Sequence, residues 1–136
     1  MVLRQLDGER WEVDAREHYW CHPHHRNGNS QKSQWSITRL EEVSSFAAAP
    51  KGVCSDPSVR WGTHFANASI AALGSRGEWL ARFVGDGAIP ISTWHGWPAC
   101  RWPQDNPDSE LLDHWVQHGV ITRARARRVN RGIWQL

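Results

Sequence analysis

The sequence is poor in residues that define several common classes of protein. Its 136 residues include one tyrosine, one methionine and three cysteines, and no apolar run approaches the roughly 20 residues that span a bilayer. An odd number of widely spaced cysteines, Cys21, Cys54 and Cys100, argues against a secreted disulfide scaffold. The charged first residues also predict no secretory signal peptide. We therefore expect a cytoplasmic protein without a membrane partner.

Net charge is also small. The chain carries +2 at pH 7, from 16 basic and 14 acidic residues, which by itself does not indicate a nucleic-acid-binding protein. Hydrophobic residues at 40% and charged residues at 22% are typical of a folded domain. The length predicts a single globular domain over residues 1–136, because it suffices for one buried core and is short for two.

Tryptophan and histidine are the abundant residues, with ten and eight copies. An indole ring has a large apolar body and one N–H group, so we expect most tryptophans in a core or on a binding surface. Half of the histidines and one cysteine fall in the His-rich segment, residues 18–25. Imidazole and thiol groups bind zinc, and imidazole exchanges protons near neutral pH. This segment is the best candidate for chemistry.

The first part of the chain, residues 1–95, is predicted to be mainly β. Strands are expected at residues 10–13 and 59–65, and a short helix at residues 40–49 ends before a proline. Residues 67–73 fit either a helix or a strand.

The dipeptide Asn27-Gly28 predicts a first β-hairpin, because both residues tolerate the positive φ of a two-residue turn. This turn pairs the His-rich segment with residues 30–37 and places Trp20 opposite Trp35. We therefore expect the His-rich segment to be one strand at the edge of a sheet, where its proline is tolerated.

A second hairpin is predicted around Asp86-Gly87. In the expected register, the strand before the turn sets Trp79 against Trp94 of the strand after it. Both faces of this hairpin are largely apolar, which predicts that it lies inside a sheet that is covered on both sides.

The last part of the chain is predicted to be helical. Residues 96–107, rich in Trp and Pro, are expected to form a loop that leads to a helical hairpin at residues 108–132. We expect Asn106 to cap the first helix, Gly119 to end it and Thr122 to cap the second. The fold class is then α+β, with a small, mainly antiparallel β-sheet and a C-terminal helical hairpin packed against it.

Within the His-rich segment, His22 and His24 are the candidate metal ligands. In a strand they share one face, about 6 to 7 Å apart at the backbone, whereas Cys21 and His25 point to the other face. This His-x-His arrangement offers two nitrogens to zinc, which needs a third and usually a fourth ligand. No complete zinc-binding spacing accompanies it, so the alternative is a set of solvated or packed histidines.

The same histidines fit metal-free acid–base chemistry. One imidazole can remove the proton of a ribose hydroxyl while another protonates the leaving oxygen, and a cation stabilises the charged intermediate. The chemistry predicts a nuclease of the toxin type, dependent on histidine or on a metal, as the alternative function. The candidate catalytic residues are His22, His24, His95 and Arg26, with Lys32 as an alternative cation.

Two further histidines, His114 and His118, lie one helical turn apart in the predicted first C-terminal helix. Glu110 precedes them by one more turn, so the three side chains share a face that could bind a metal. This face points away from the apolar stripe of the helix, and a solvated surface is the favoured interpretation.

The second C-terminal helix carries five arginines and no acid, which predicts contact with phosphates or guanine edges. The two helices have the order of a helix-turn-helix, but Trp115 stands where tight helix crossing needs a small residue. The alternative is a solvated helix neutralised by the acidic residues before it. The candidate nucleic-acid-binding residues are Arg123, Arg125, Arg127, Arg128 and Arg131.

Trp97 and Trp102, in the predicted loop, are candidate anchors for a protein partner, because Trp and Arg dominate interface hot spots. Without an intact catalytic or metal-binding motif, the first expectation is a non-enzymatic interaction module. It would bind a protein partner or nucleic acid through its Trp-rich and Arg-rich surfaces. The nuclease is the second expectation.

Overall fold

A computed structural model describes residues 2–99 and 105–136 of the chain. Within these residues lie eight strands, three α-helices and one short 3-10 helix. The strands are β1 (Arg4–Gln5), β2 (Arg10–Asp14), β3 (Glu17–Trp20), β4 (Val59–Gly62), β5 (His64–Ala66), β6 (Ser69–Ala71), β7 (Ala81–Gly85) and β8 (Ser92–Pro98). The helices are the 3-10 helix Pro23–His25, α1 (Arg39–Ala48), α2 (Ser109–Gln117) and α3 (Arg123–Asn130).

Six of these strands form one sheet in the order β1-β2-β3-β8-β7-β4. Its neighbouring strands run antiparallel except β3 and β8, which are parallel. A second, small sheet pairs β5 with β6 through a turn in which Asn67 and Ala68 have positive φ. The ambiguous residues 67–73 thus contain a turn and a strand, and the predicted strand at 59–65 divides into β4 and β5. The sheets and the C-terminal helices confirm the predicted α+β class.

Helix α1 covers one face of the large sheet. It begins at a capping box, in which the Thr38 hydroxyl accepts a hydrogen bond from the backbone N–H of Glu41 and the Glu41 carboxylate accepts one from Thr38. Its bounds match the predicted helix to within one residue. The first core lies between this helix and the sheet, and its aromatic members are Tyr19, Trp35, Phe46, Phe83 and Trp94.

Helices α2 and α3 pack on the opposite face, where they meet Trp61 of β4 in a second core. Trp61 pairs with Arg82 across β4 and β7, and Arg82 pairs with Trp97 across β7 and β8. Paired residues point to the same side of a sheet, so this face continues from the second core towards β8 and β3. As predicted, α2 ends at Gly119, with a φ of 73°, and the Thr122 hydroxyl caps α3.

The first predicted hairpin is wrong. Strand β3 pairs with β2 and β8, and Trp20 lies opposite Arg10. Trp35 makes an isolated β-bridge to Gly74 instead of facing Trp20. The chain leaves the sheet shortly after β3 because Pro23 has no N–H for a strand ladder, and this proline begins the 3-10 helix.

The second hairpin forms from β7 and β8, but in a different register. Trp94 lies opposite Gly85 and not Trp79, and Phe83 lies opposite Gly96. A Cβ atom at Gly85 would come within 2.5 Å of the Trp94 indole, and one at Gly96 would overlap the Phe83 ring. Each glycine therefore leaves the space that the opposite aromatic ring occupies, which favours this register over the predicted one.

Two local predictions before α2 are also wrong. Residues 96–98 continue β8 and are not part of a loop. The N-cap of α2 is Asp108 and not Asn106, and the Asp108 carboxylate accepts hydrogen bonds from the N–H and hydroxyl of Ser55 at 2.7 and 2.9 Å. This tertiary contact is invisible to a local capping rule. Trp102 lies outside the described residues.

Candidate functional site

Four histidines and two tryptophans come together on the face of the sheet that continues beyond α2 and α3. They come from β3, from β8 and from the 3-10 helix with the residue before it. All six side chains keep part of their surface exposed. We call this surface the imidazole–indole patch, and it consists of Trp20, His22, His24, His25, His95 and Trp97.

His22 is at the centre of the patch. Its ring centroid lies 4.5 Å from that of His24, 5.5 Å from that of His95 and 5.9 Å from that of His25. The Trp97 indole lies 6.0 Å from both His25 and His95, and it stacks on His25 with 23° between the ring planes. Three imidazoles and one indole therefore form a closed ring of aromatic contacts.

The place of His25 corrects the strand interpretation of the His-rich segment. Strand alternation put His25 on the face opposite His22, but a 3-10 helix has about three residues per turn, which returns the two rings to the same side. Pro23 was the signal in the sequence for this local turn. Cys21, in contrast, is buried in the first core, and burial raises the pKa of its thiol to about 12.

Two backbone contacts define which nitrogen of His22 and of His25 carries the proton. The Nδ1 atom of His25 lies 2.8 Å from the carbonyl oxygen of Ser33, and since a carbonyl only accepts, Nδ1 is protonated and Nε2 is an acceptor. The Nδ1 atom of His22 accepts from the backbone N–H of His24 at 3.1 Å, so in the neutral ring Nε2 carries the proton. The patch thus presents an acceptor and a donor on neighbouring rings.

The pKa values of His22, His25 and His95 are lower than the usual value for histidine. Burial is the largest cause at each ring, because desolvation disfavours the charged form. Neighbouring imidazoles lower all three pKa values further, Lys32 does so for two of them, and the Ser33 hydrogen bond partly opposes the shift of the His25 pKa. The three rings are therefore neutral at pH 7.

Arg26, predicted to stabilise charge among the histidines, is directed into the protein instead. Its Nε donates to the buried carboxylate of Glu42 at 3.0 Å, and its Nη2 lies 2.9 Å from the same oxygen without hydrogen-bond geometry. The Tyr19 hydroxyl donates to the other carboxylate oxygen at 2.5 Å. Burial raises the pKa of Glu42, although both partners oppose this shift. Arg26 therefore anchors the 3-10 helix to α1, and Lys32 is a cation beside the imidazoles.

The zinc hypothesis stays a prediction. Among residues 2–99 and 105–136, no group of three or more His, Cys, Asp or Glu side chains is placed to hold a metal ion. His22 and His24 are adjacent, but the backbone occupies Nδ1 of His22 and leaves a proton on its Nε2. Two other side chains of a metal-binding type lie elsewhere: His64 is 3.5 Å from Glu41, and burial raises the pKa of the Cys54 thiol to about 11.

The four arginines of α3 and Arg131, its C-cap residue, do not share one environment. Arg125 lies over the buried indole of Trp79, 5.4 Å from the ring centre, and thus packs on the second core. Arg128 is half-buried. The other three recur at every fourth residue and form an exposed ridge, whose first member lies 3.8 Å from Asp113. This arginine ridge consists of Arg123, Arg127 and Arg131.

His114 and His118 form a second, separate histidine pair on α2. Their ring centroids are 4.1 Å apart with 23° between the planes, and Nδ1 of His118 donates to the carbonyl oxygen of His114 at 2.8 Å. The Glu110 side chain, one turn earlier, is exposed to solvent. A single helix supplies this pair, whereas β3, β8 and the 3-10 helix all contribute side chains to the patch.

The chain shows no similarity to a known family. No family model matches it, and neither does any curated protein or solved structure. None of the helices in the described part of the chain combines the length and the apolar character needed to cross a bilayer. The geometry of the patch and of the arginine ridge is thus the basis for a functional proposal.

Proposed function

We propose that the protein is an interaction module that binds single-stranded RNA through the imidazole–indole patch, with phosphate contacts from Lys32 and the arginine ridge. The observation that carries the proposal is the closed ring of three imidazoles and Trp97 on a partly exposed sheet face. A protein partner that uses Trp97 as an anchor stays a prediction, since no contact in the structure favours one.

Stacking is the first physical reason. Sequence-tolerant RNA-binding sheets present aromatic side chains on which unpaired bases stack, and histidine serves beside Trp, Tyr and Phe. Trp20 on β3 lies 6.3 Å from His95 on β8, and the next outward residue of β8 is Trp97. Stackable rings therefore continue across two adjacent strands, at a spacing set by the sheet.

Hydrogen bonding is the second reason. The Nε2 atom of His25 accepts and that of His22 donates, as the backbone contacts of their Nδ1 atoms require. Both kinds of group are present on base edges and on the ribose 2′-hydroxyl, which distinguishes RNA from DNA. Because the rings are neutral at pH 7, attraction to phosphates has to come from lysine and arginine.

The arginine ridge supplies such cations on the side of the sheet that carries the patch. Helix α3 packs on the same face of the sheet that carries Trp97, and its outer surface bears the arginine ridge. Lys32 is close enough to lower the pKa values of His22 and His25. Positive charge is therefore present on the side of the sheet that carries the patch.

The test is binding of a fluorescent oligouridylate of about 12 nucleotides, followed by anisotropy. Trp97→Ala removes one stacking surface and should weaken binding by roughly 5- to 150-fold, the usual effect of removing one base–aromatic stack. Phe65→Ala is the matched control, because Phe65 is an exposed aromatic residue on the separate small sheet. Equal affinity of the Trp97→Ala variant and the native protein would contradict the proposal.

Replacing the three arginines of the ridge by glutamine tests the phosphate contacts. The slope of log affinity against log salt should fall by about 2, because each phosphate that a protein neutralises on a single strand contributes about 0.7 to this slope. The control replaces the exposed arginines Arg16 and Arg39, which are not on α3. A salt slope that stays unchanged in the ridge variant would exclude α3 from the RNA-binding surface.

A second candidate is metal-independent cleavage of RNA at the patch. The observation that favours it is the His25 ring, whose Nδ1 is held by the Ser33 carbonyl so that Nε2 is a base. His25 would take the proton of a ribose 2′-hydroxyl while that oxygen attacks the adjacent phosphorus. The protonated form of His95, which becomes more populated as the pH falls below 7, would then give its proton to the leaving 5′-oxygen, and Lys32 would stabilise the charge on the phosphate.

Cleavage of oligouridylate in the presence of EDTA, with a 2′,3′-cyclic phosphate as product, tests this candidate. His25→Gln should reduce the rate by about 10²- to 10⁴-fold, the usual contribution of one general acid or base. His118→Gln, on α2, is the control because it removes an exposed imidazole outside the patch. Cleavage that EDTA abolishes, or that survives His25→Gln, would rule the mechanism out.

A further inference from the structure

The patch has an unusual electrostatic property: its four imidazoles contact one another, and within residues 2–99 and 105–136 none of them forms an ion pair with a carboxylate. His22 has three other imidazoles within 5.9 Å, measured between ring centroids. The charged groups that influence the pKa values of His22, His25 and His95 are other imidazoles and Lys32. A proton added to one ring therefore meets only repulsion from its close titratable neighbours.

Other charged groups around the patch are already paired or lie at its border. On β7, Arg82 faces Trp97 and donates to Asp105 at 3.0 Å. Beneath the 3-10 helix, Arg26 is paired with Glu42. The border at β2 has a mixed charge, which Glu9 and Arg10 provide: Glu9 accepts from the Trp20 indole at 3.2 Å, and Arg10 lies 5.5 Å from the centre of that ring.

Protonation of the imidazoles also has a structural consequence. The Nδ1 atom of a neutral His22 accepts from the backbone N–H of His24, and a protonated ring has no lone pair for this hydrogen bond. An anion bound across the rings would compensate for the repulsion and for the absence of this hydrogen bond, because protonation gives His25 an N–H at Nε2 in addition to the Nδ1–H that donates to Ser33.

We propose that the imidazole–indole patch is an acid-activated anion site, in which binding of a phosphate chain and protonation of the histidines are coupled. The proposal rests on the proposed RNA-binding function and names its regulation. His22, His25 and His95 form a neutral stacking surface at pH 7, and protonation turns this surface into a cationic phosphate-binding surface as the pH falls. By linkage, the bound phosphates raise the proton affinity of the rings by the same factor.

The first experiment measures the affinity for oligouridylate from pH 8 to pH 5, a range in which histidine titrates and uracil does not. Affinity should rise by up to about tenfold per pH unit for each proton taken up. Calorimetry in buffers of different ionisation enthalpy counts these protons directly. An affinity that does not change with pH, with no proton uptake, would overturn the proposal.

The second experiment uses variants. Replacing His22, His25 and His95 together by glutamine should abolish most of the pH dependence, whereas His114→Gln with His118→Gln should preserve it. If the triple variant does not fold, the number of protons that the native protein takes up on binding oligouridylate, measured by calorimetry, still tests the proposal. A triple variant that folds and keeps the full pH dependence would contradict the proposal.

Two further ligands separate this proposal from RNA binding itself. Inorganic tripolyphosphate carries the phosphates without bases, and uridine carries a base without phosphate. Acid-dependent binding of tripolyphosphate without any binding of oligouridylate would retain the anion site and reject the RNA-binding function. If uridine binding strengthens in acid as much as oligouridylate binding does, phosphate is not the coupled ligand and the proposal fails.

Discussion

The two histidine clusters of this protein show how different environments change the same side chain. His114 and His118 stack at 4.1 Å on the outer surface of α2, and a single helix determines their geometry. His22 and His25 lie further apart, at 5.9 Å, but the 3-10 helix, β8 and the loop at Ser33 all contribute to their surroundings. Proximity of two imidazoles is therefore a weak indication of function.

The difference lies in what surrounds the rings. Burial lowers the pKa values of His22, His25 and His95, and backbone groups define the tautomers of two of them. Sites that do chemistry or bind ligands are commonly those where several elements impose such constraints. The comparison therefore favours the patch over the helical pair as the site of function.

The largest expected effect comes from breaking the anchor beneath the patch. Glu42→Ala leaves the Arg26 guanidinium without its carboxylate and the Tyr19 hydroxyl without its acceptor, which should lower the free energy of unfolding by about 3–5 kcal/mol. Glu41→Ala, its neighbour on α1, removes an exposed capping-box partner and should cost about 0.5–1.5 kcal/mol. Urea unfolding measures both.

If Glu42→Ala does not fold, Tyr19→Phe is the milder variant, with an expected loss of about 1.5–3 kcal/mol for one hydrogen bond to a charged group. In either variant, NMR signals of the patch imidazoles should shift, and those of His114 and His118 should not. Equal destabilisation by Glu41→Ala and Glu42→Ala would show that the buried contacts do not anchor the patch.

The next effect concerns the strand that carries the patch. Gly96 lies between His95 and Trp97, and a Cβ atom there would overlap the Phe83 ring, so Gly96→Ala should cost about 1–3 kcal/mol. Gly8→Ala is the control, because no atom lies within 4 Å of a Cβ added at Gly8. Thermal unfolding compares the two, and similar stabilities would contradict the close packing of β7 against β8.

A smaller effect is expected in the pH dependence of stability. A histidine whose pKa is lowered by folding binds fewer protons than in the unfolded chain, so the free energy of unfolding falls as the pH drops below the usual pKa of 6.5. This loss is complete once the pH is below the folded pKa. Replacing His22, His25 and His95 by glutamine should flatten the stability profile between pH 7 and pH 5.

Comparing the native protein with the triple glutamine variant also controls for other titratable groups. Glu42 contributes to the profiles of the native protein and of the triple variant alike, so the difference between the two isolates the three imidazoles. The measurement is urea unfolding at a series of pH values. Superimposable profiles would show that burial does not lower the pKa values of the patch histidines.

The smallest effect is expected at the helical pair. His114→Ala with His118→Ala removes two stacked rings from the surface of α2, and substitutions at such positions usually change stability by less than about 0.5 kcal/mol. Binding of oligouridylate should also stay unchanged. A clear loss of binding would instead favour the His114–His118 pair over the patch and place the functional surface at α2.

The elements that the sequence predicted correctly are those with strong local signals. A capping box begins α1, a glycine with positive φ ends α2, and Thr122 caps α3, and each acts within one turn of chain. Two of the wrong predictions, the register of the second hairpin and the N-cap of α2, depended on distant partners. The register of β7 and β8 follows from the packing of Phe83 over Gly96, and the start of α2 from a contact between Asp108 and Ser55.

The candidate site was predictable in the same limited way. The density of histidines indicated where to look, and His22 and His24 are indeed adjacent. Sequence reasoning placed His25 on the wrong face, because it applied the period of a strand to a 3-10 helix. It also assigned Arg26 to the histidines, because a local pattern does not show a buried carboxylate on α1.

The sequence by itself determined the α+β class, the caps at Gly119 and Thr122 and the segment that carries half of the imidazoles, because these depend on composition and on contacts within a few residues. Only the tertiary structure decided that His95 and Trp97 of β8 join His22 and His25. The parallel pairing of β3 with β8 brings together residues 75 positions apart, and no local rule encodes that pairing. The candidate site therefore depends on the order of the strands in the sheet, and a cluster of histidines in the sequence does not form it alone.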